Sequence, residues 1–578
     1  MTQELYGLND EQWGAITAKS PTICMASAGS GKTRTLVARI RYILDDQGHD
    51  PRNILAITFT NKAANEMKER LKSFYPNLAG MQISTIHSMC VKIIKTFIQH
   101  TPLKHPFSIY DDSDQMSVIK TVIKARNLTL DPWETLSAIS RAKAEEKEKF
   151  LDKDTIIAYK AYQEILIKNN ALDFDDLLIY ANNCLQHDDC RAYYSNLWQH
   201  ILVDEFQDLS NIQYKIILAL YEEKTKTFFA AGDQNQSIYG FRGAQPENMK
   251  KFIEQYKPSI INLTFNYRSC SEIITHANNF LQFGKPMVPK TASQGMVSFT
   301  QFQSQEDEAE KIALALQKMQ DYENTAILFR VNSRTLQFEK VFTQKRIPYK
   351  IVGALPFYKR RIAKDLLSYC KVAVNRSDIE SLVRIVNVPK RGFGETRQEK
   401  LLLEGWPYLI KSADEIPRIG GFINLLDEVR SQSPLDAVNQ ILHHTEYRST
   451  LKTDNDRIML DSFLNVISGY DSIDELILAS SFIEQDTGRG VKLMSAHASK
   501  GLEFDRVFVV GVEDELWPHK LAEDLTEENR LYYVAVTRAK KYINISYSKS
   551  RLYRGTKLDV LPSPLFTNSY QAYKNERD

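Results

Sequence analysis

Short apolar runs recur along this chain, each followed by a stretch whose apolar positions fall three and four residues apart. Ile23-Cys24-Met25 is the first such run, and behind it Leu36, Val37 and Ile40 mark one face of a helix beginning near Thr33. Asn53-Ile54-Leu55-Ala56-Ile57-Thr58-Phe59-Thr60 is a second apolar strand, followed by Ala63, Ala64, Met67 and Leu71 at helical spacing. A third strand at 81–84 leads into Thr85-Ile86-His87-Ser88. Ahead of them all, Asn9 or Asp10 is placed to cap a helix carrying Trp13, Ile16 and Ala18. Strands that alternate with helices predict a parallel α/β sheet, with ligand loops at the strand C-termini.

From about 90 to 171 the strands stop and the pattern is helical. Its Lys/Glu run, Arg141 to Lys149, reads as a solvated helix face. Sheet character resumes at 200–205 and 227–233, and a second α/β region opens near Ile260, with strands at 261–264, 325–329 and 349–352. Residues 356–486 are again mainly helical before strands return at 491–496, 506–512 and 542–548. The pattern therefore gives two α/β cores, each interrupted by a helical insertion. The segment after about 560, with Pro562 and Pro564, reads as a loosely ordered tail.

Composition narrows this only a little. A chain of 578 residues is too long for one core, and 43% hydrophobic with 25% charged residues is the balance of a soluble globular protein. No apolar run approaches the ~20 residues of a membrane span, and the polar start MTQELYGLNDEQW does not read as a signal peptide. Scattered cysteines (24, 90, 184, 190, 270, 370) fit a reducing cytoplasm. Cys184-x-x-His187-x-x-Cys190 supplies three metal-ligand types, but no fourth lies nearby, so it is not read as a metal site. A net charge of +2, from 74 basic and 72 acidic side chains, gives no global field for a polynucleotide. Such a partner would have to be held by local grooves and stacking.

Two stretches carry chemistry. Ala26-Ser27-Ala28-Gly29-Ser30-Gly31-Lys32-Thr33 joins strand to helix with small residues, so that backbone N–H groups and the helix N-terminus can wrap a phosphate. Lys32 would reach the β- and γ-phosphates and the Thr33 hydroxyl would ligate Mg²⁺; the usual first glycine is Ala26 here. Asp204-Glu205 ends an apolar strand, where Asp204 would hold Mg²⁺ through water and Glu205 would orient and deprotonate the attacking water. Seen alone, the same pair also suits the opening of a helix. Gln207 and Asp208 in the same loop weigh against that.

Taken together the motifs resemble the UvrD/Rep/PcrA-type helicases of superfamily 1, in the family's order and over most of the chain. Ala26–Thr33 resembles motif I, Gln12 the adenine-reading Q motif, 58–64 motif Ia and 85–88 motif Ib. Asp204-Glu205-Phe206-Gln207-Asp208 resembles motif II, 232–244 motif III and 263–269 motif IV. His497-Ala498-Ser499-Lys500-Gly501-Leu502-Glu503-Phe504 resembles motif V, and 530–539 motif VI. The resemblance implies an α/β protein of two RecA-like P-loop cores: 1–89 with 172–259 as core 1A, and 260–355 with 487–565 as core 2A. The insertions would be 1B (90–171) and a shortened 2B (356–486), with a tail at 566–578.

It also implies roles. Gln12, the loop Ala26, Ser27, Ala28, Gly29, Ser30, Gly31, Lys32, Thr33 and the following Arg34 would bind ATP, with Tyr267 stacking on adenine and Glu503 near the ribose. Gln236 would sense the γ-phosphate, and Arg268 and Arg538 would reach it as arginine fingers from the second core. Phe59, Asn61, His87, Tyr239, Phe241, Arg242 and His497 would line a single DNA strand. By pattern alone Phe59, at the end of an apolar strand, is instead a core residue.

The implied function is an ATP-dependent helicase moving 3′ to 5′ on single-stranded DNA and unwinding duplexes, with single strands and single-to-double-strand junctions as partners. The alternatives are a DNA-stimulated ATPase switch, or the motor of a nuclease or defence complex. A protein partner, whether a nuclease or a repair or replication factor, goes with these. Ile362 stands where the family has a glutamate.

Overall fold

The alternation of buried runs and helices folds, in a computed structural model, into two separate units. Its described residues are 3–76, 80–145, 151–221, 226–352, 360–451, 454–468, 470–482, 490–520, 522, 524–553 and 556–575. One unit comprises Met1–Gly295 with Asp524–Thr537, the other Met296–Glu523 with Arg538–Asp578.

The first unit is built on a six-stranded parallel sheet of β1 (Thr22–Ala26), β2 (Ile54–Thr58), β3 (Gln82–Thr85), β4 (His200–Val203), β5 (Thr227–Gly232) and β6 (Ser259–Leu263). Their order across the sheet is β3-β2-β4-β5-β1-β6. Every residue of β2 and β4 is buried, as expected of parallel strands covered on both faces. Leu36, Ile40, Met67 and Leu71 pack one face, and Ile93, Leu177, Ile216 and Phe228 belong to the core on the other. This order sets the loops after β4, β5 and β6 around the loop that leaves β1.

β6 spans the boundary expected at 260. It pairs parallel with β1 from Ser259 through Leu263, because the Glu247–Tyr256 helix is a crossover returning the chain to the same sheet. The first unit extends to Gly295. Tyr267 and Arg268 consequently belong to the first unit rather than the second.

The first insertion places helices Asp112–Ala125, Pro132–Glu145 and Lys153–Lys168 around a small core that includes Ile119, Ile139, Tyr162 and Leu166. Its Lys/Glu run is not a uniformly solvated face. Lys143 is fully buried and pairs with Asp173 at 2.6 Å and Asp176 at 2.8 Å. Residues 146–149 of that run lie outside the described residues.

The second unit holds another six-stranded parallel sheet: β7 (Met296–Phe302), β8 (Thr325–Phe329), β9 (Tyr349–Val352), β10 (Val491–Ser495), β11 (Phe504–Val509) and β12 (Ala539–Ser548), ordered β7-β12-β11-β8-β10-β9. β7 escapes the sequence reading because Ser298, Thr300 and Gln301 dilute its apolar alternation. The insertion between β9 and β10 is helical, with Leu366, Tyr369, Phe422, Ile441 and Phe463 in one core; Ile362 is buried in it, as an apolar residue should be. The described residues after 560 are ordered, contrary to expectation. Pro564–Asn575 is a helix whose Phe566, Tyr570 and Tyr573 pack around Phe299.

Candidate functional site

The phosphate loop takes its shape from two glycines. Gly29 and Gly31 have φ of +68° and +82°, values that suit only a residue without Cβ, and Gly31 caps the Lys32–Arg41 helix. The Ser30 N–H and hydroxyl both donate to the Ser27 carbonyl, which closes the turn. Gln12 is buried and its amide donates to the Ser30 carbonyl at 3.0 Å, so the N-terminal helix holds the loop from outside. Arg34 donates to the Gly7 carbonyl in the same way.

Lys32 points at the acidic pair. Its Nζ lies 2.6 Å from Glu205 and 3.8 Å from Asp204. Burial disfavours the ammonium, but Glu205 and Asp204 outweigh it and hold the lysine above its ordinary pKa. Burial pushes the Asp204 carboxyl up to about 6 against the pull of Lys32. Thr33 follows at the helix N-terminus. Hydroxyl and carboxylate are the hard oxygen donors that Mg²⁺ selects.

Gln207 ties this pair to the loop after β5. It is fully buried, donates to Glu205 at 2.7 Å and Asp208 at 3.2 Å, and accepts from the Asp233 N–H at 2.9 Å. Gln236 is buried and donates to Asp233 at 2.6 Å. Lys32, Asp204, Glu205, Gln207, Asp233 and Gln236 thus form one connected polar network.

After β6, Asn266 binds the phosphate loop to the residues that follow. Its amide donates to the Ala28 carbonyl at 2.6 Å, while its oxygen accepts from the N–H groups of Arg268 and Ser269. The Tyr267 N–H donates to the Gly29 carbonyl at 2.9 Å. Glu11 accepts from the Thr264 N–H at 2.7 Å, and Asn9 donates to the Tyr267 hydroxyl at 2.6 Å. Tyr267 remains 47% exposed. Arg268 donates to the Thr537 carbonyl at 3.2 Å.

The other expected strand contacts gather nearby. Phe59 is half-buried and stacks on Tyr239, with centroids 5.1 Å apart and planes 12° apart, so it is not a core residue. Tyr239 neighbours Phe241, which is 65% exposed. Asn61 is exposed at the start of the Asn61–Lys72 helix. His87, its pKa lowered by burial, meets the exposed Phe174 edge-on. A cavity of about 290 Å³ is lined by Phe59, His87, Asp175, Asp204 and Tyr239 among others. The side chain of Arg242 lies outside the described residues.

The second unit carries the rest. His497 opens a short turn after β10, and Glu503 pairs with Lys540 at 2.7 Å. Arg538 is buried at the start of β12 and donates to the Leu502 carbonyl at 3.2 Å. Sequence reading passed over Gln207, Asp233, Asn266, Asn9 and Glu11 as acting residues. Only Gln207 gave a signal, as an amide set between carboxylates in a strand-end loop.

Among known proteins, residues 8–257 match the UvrD/REP helicase N-terminal domain, and 261–453 and 411–550 match the UvrD-like helicase C-terminal domain. The ATP-dependent DNA helicase PcrA of Staphylococcus epidermidis is 36% identical, over 96% of this chain and 85% of its own length. PcrA of Staphylococcus aureus is 35% identical, over 97% of this chain and 86% of its own. Family matches across both α/β units, near-full-length relatives and the site geometry agree: the chain belongs to the UvrD/REP helicase family.

Proposed function

We propose that this chain is an ATP-dependent DNA helicase that moves 3′ to 5′ on a single strand and unwinds duplex DNA. The observation that carries the proposal is the loop after β5. Within nine residues it holds Asp233 and Gln236, networked to Lys32 and Glu205, and then Tyr239 and Phe241, which face outward with Phe59. One short segment therefore belongs both to a nucleotide-hydrolysing network and to a base-stacking surface.

In this mechanism Tyr267 takes the adenine on its exposed face and the Gly29–Thr33 backbone takes the phosphates. Thr33 and Asp204 would hold Mg²⁺, which neutralises phosphate charge. Lys32 leaves Glu205 for the γ-phosphate, which frees the Glu205 carboxylate to accept a proton from the attacking water. Gln207 keeps that carboxylate oriented. Arg268, fixed to the phosphate loop through Asn266, and Arg538 stabilise the charge of the transferring phosphoryl group; such cations contribute ~10³–10⁵ in rate. Gln236 changes partner between Asp233 and the γ-phosphate, and Tyr239 and Phe241 follow. Stacking at ~1–3 kcal/mol per base is strong enough to hold a base and weak enough to release it each cycle.

A forked duplex with a 3′ single-stranded arm tests the proposal, read beside a strand-translocation assay. ATP-dependent unwinding of the 3′-armed fork, absent with a 5′ arm and absent in Lys32→Ala, is the expected result. Translocation without unwinding would mark a DNA-driven ATPase of the switch type instead.

A further inference from the structure

The Leu525–Val536 helix is separated in sequence from the first unit by more than two hundred residues, yet it packs there. What it touches is specific. Arg530 is 8% exposed, and its guanidinium Nε–H donates to the Ser237 carbonyl at 2.7 Å. Its other nitrogens are held by Thr526 at 3.2 Å, Asp524 at 3.3 Å and Gln282 at 3.4 Å, so the side chain has one orientation. One turn earlier, the Glu527 carboxylate accepts from the Gly240 N–H, and a Cβ on Gly240 would collide with it. The two contacts bracket Ile238 and Tyr239 by their backbone and leave the Tyr239 ring on Phe59. At the far end of the helix the Thr537 carbonyl accepts from Arg268. Twelve residues of helix span ~18 Å as one rigid element.

We propose that Arg530 and Glu527 are positioning residues that clamp the backbone of the Ser237–Gly240 segment, and that the helix carrying them links the base-stacking loop to the arginine beside the phosphate loop. The clamp rests on the proposed motor function and adds to it a second route between the two sites. The first route runs through Gln207, Asp233 and Gln236 on the loop's N-terminal side. The second grips its C-terminal side. The contacts described for Arg530 and Glu527 go to the backbone of the loop and to Thr526, Asp524 and Gln282, outside the nucleotide network and the Phe59–Tyr239 stack. Their loss is therefore expected to disorganise the strand contact while sparing the phosphate chemistry.

The test uses the full chain with Arg530→Met, Arg530→Lys and Glu527→Gln. Hydrolysis is measured without DNA and with saturating oligothymidylate, and stacking is read from an oligonucleotide bearing 2-aminopurine, whose fluorescence is quenched against aromatic rings. Arg530→Met and Glu527→Gln should keep unstimulated hydrolysis within about twofold of wild type, lose tenfold or more of the stimulation, and relieve the quenching. Arg530→Lys, which retains one donor for the Ser237 carbonyl, should recover part of both. In a Tyr239→Ala background, Arg530→Met should weaken strand binding no further, since the ring it positions is gone. Additive losses in that background, or an Arg530→Met variant that loses unstimulated hydrolysis while keeping its stimulation ratio, would overturn the clamp. If wild type itself shows no stimulation, the motor reading fails and the clamp with it. If wild type and Glu527→Gln are stimulated alike, only the clamp fails.

Discussion

Replacing Gln207 by Met keeps side-chain length and removes the side-chain hydrogen bonds of a buried residue that ties the loop after β4 to the loop after β5. The structure gives three: donation to Glu205 at 2.7 Å, donation to Asp208 at 3.2 Å, and acceptance from the Asp233 N–H at 2.9 Å. Hydrogen bonds to charged groups contribute ~1.5–3 kcal/mol each, and a stranded buried N–H costs ~1–3 kcal/mol. The Met side chain gains apolar contact in return, so net destabilisation should be about 2–4 kcal/mol. The catalytic effect is separate. Glu205 keeps its contact with Lys32 but loses the amide that fixes its second oxygen. General-base catalysis supplies ~10²–10⁴ in rate, and a misoriented base should forfeit the lower part of that, about 10²-fold. Single-turnover hydrolysis at saturating ATP isolates this loss, with nucleotide Kd and thermal unfolding measured beside it. A kcat within twofold of wild type in a folded Gln207→Met would refute the orienting role.

Other outcomes follow from the same geometry. Lys32→Ala should abolish hydrolysis in a chain with wild-type circular dichroism, because it removes the cation that lies 2.6 Å from Glu205 and 3.8 Å from Asp204. Arg268→Ala and Arg538→Ala should each cut kcat by orders of magnitude and weaken nucleotide binding far less, as expected of groups acting on the transition state; equal losses in both quantities would make them binding residues. Lys143→Met should destabilise the first unit by ~3–5 kcal/mol, because it strands two buried carboxylates. Burial already raises the Asp176 pKa, so the folded chain holds that proton more tightly than the unfolded chain and stability falls as pH rises through the folded value. The Lys143→Met deficit should therefore be full at neutral pH and shrink on acidification, as denaturant titrations at several pH values would show.

Strands at β1, β2, β4, β5 and β8 are legible because a parallel strand buried on both faces must be a continuous apolar run. β7 is not, since polar residues share its alternation, and β6 is legible as a strand but not as a member of the first sheet. Sheet membership depends on where a crossover returns, which no local pattern encodes. The phosphate loop and the acidic pair are visible because their chemistry constrains adjacent residues. Gln207 to Asp233, Asn266 to Ala28 and Arg530 to Ser237 join positions between 26 and 293 residues apart, and such pairings arise only once the sheet has brought strand ends together. Lys143 shows the converse. A charge inside a Lys/Glu run reads as solvated until tertiary structure places two aspartates beside it.

The central claim is that the loop after β5 transmits between the nucleotide network and the DNA strand. Its most direct test is the ratio of hydrolysis rates with and without saturating single-stranded DNA, in wild type and in Tyr239→Ala/Phe241→Ala. Losing two stacking contacts weakens strand binding by ~2–6 kcal/mol, so DNA must be raised until the rate no longer changes. Salt must be fixed, because backbone phosphate contacts are screened. The account predicts a large ratio for wild type and a ratio near one for the double variant, with translocation lost. A double variant that retains the full ratio and still translocates would contradict it.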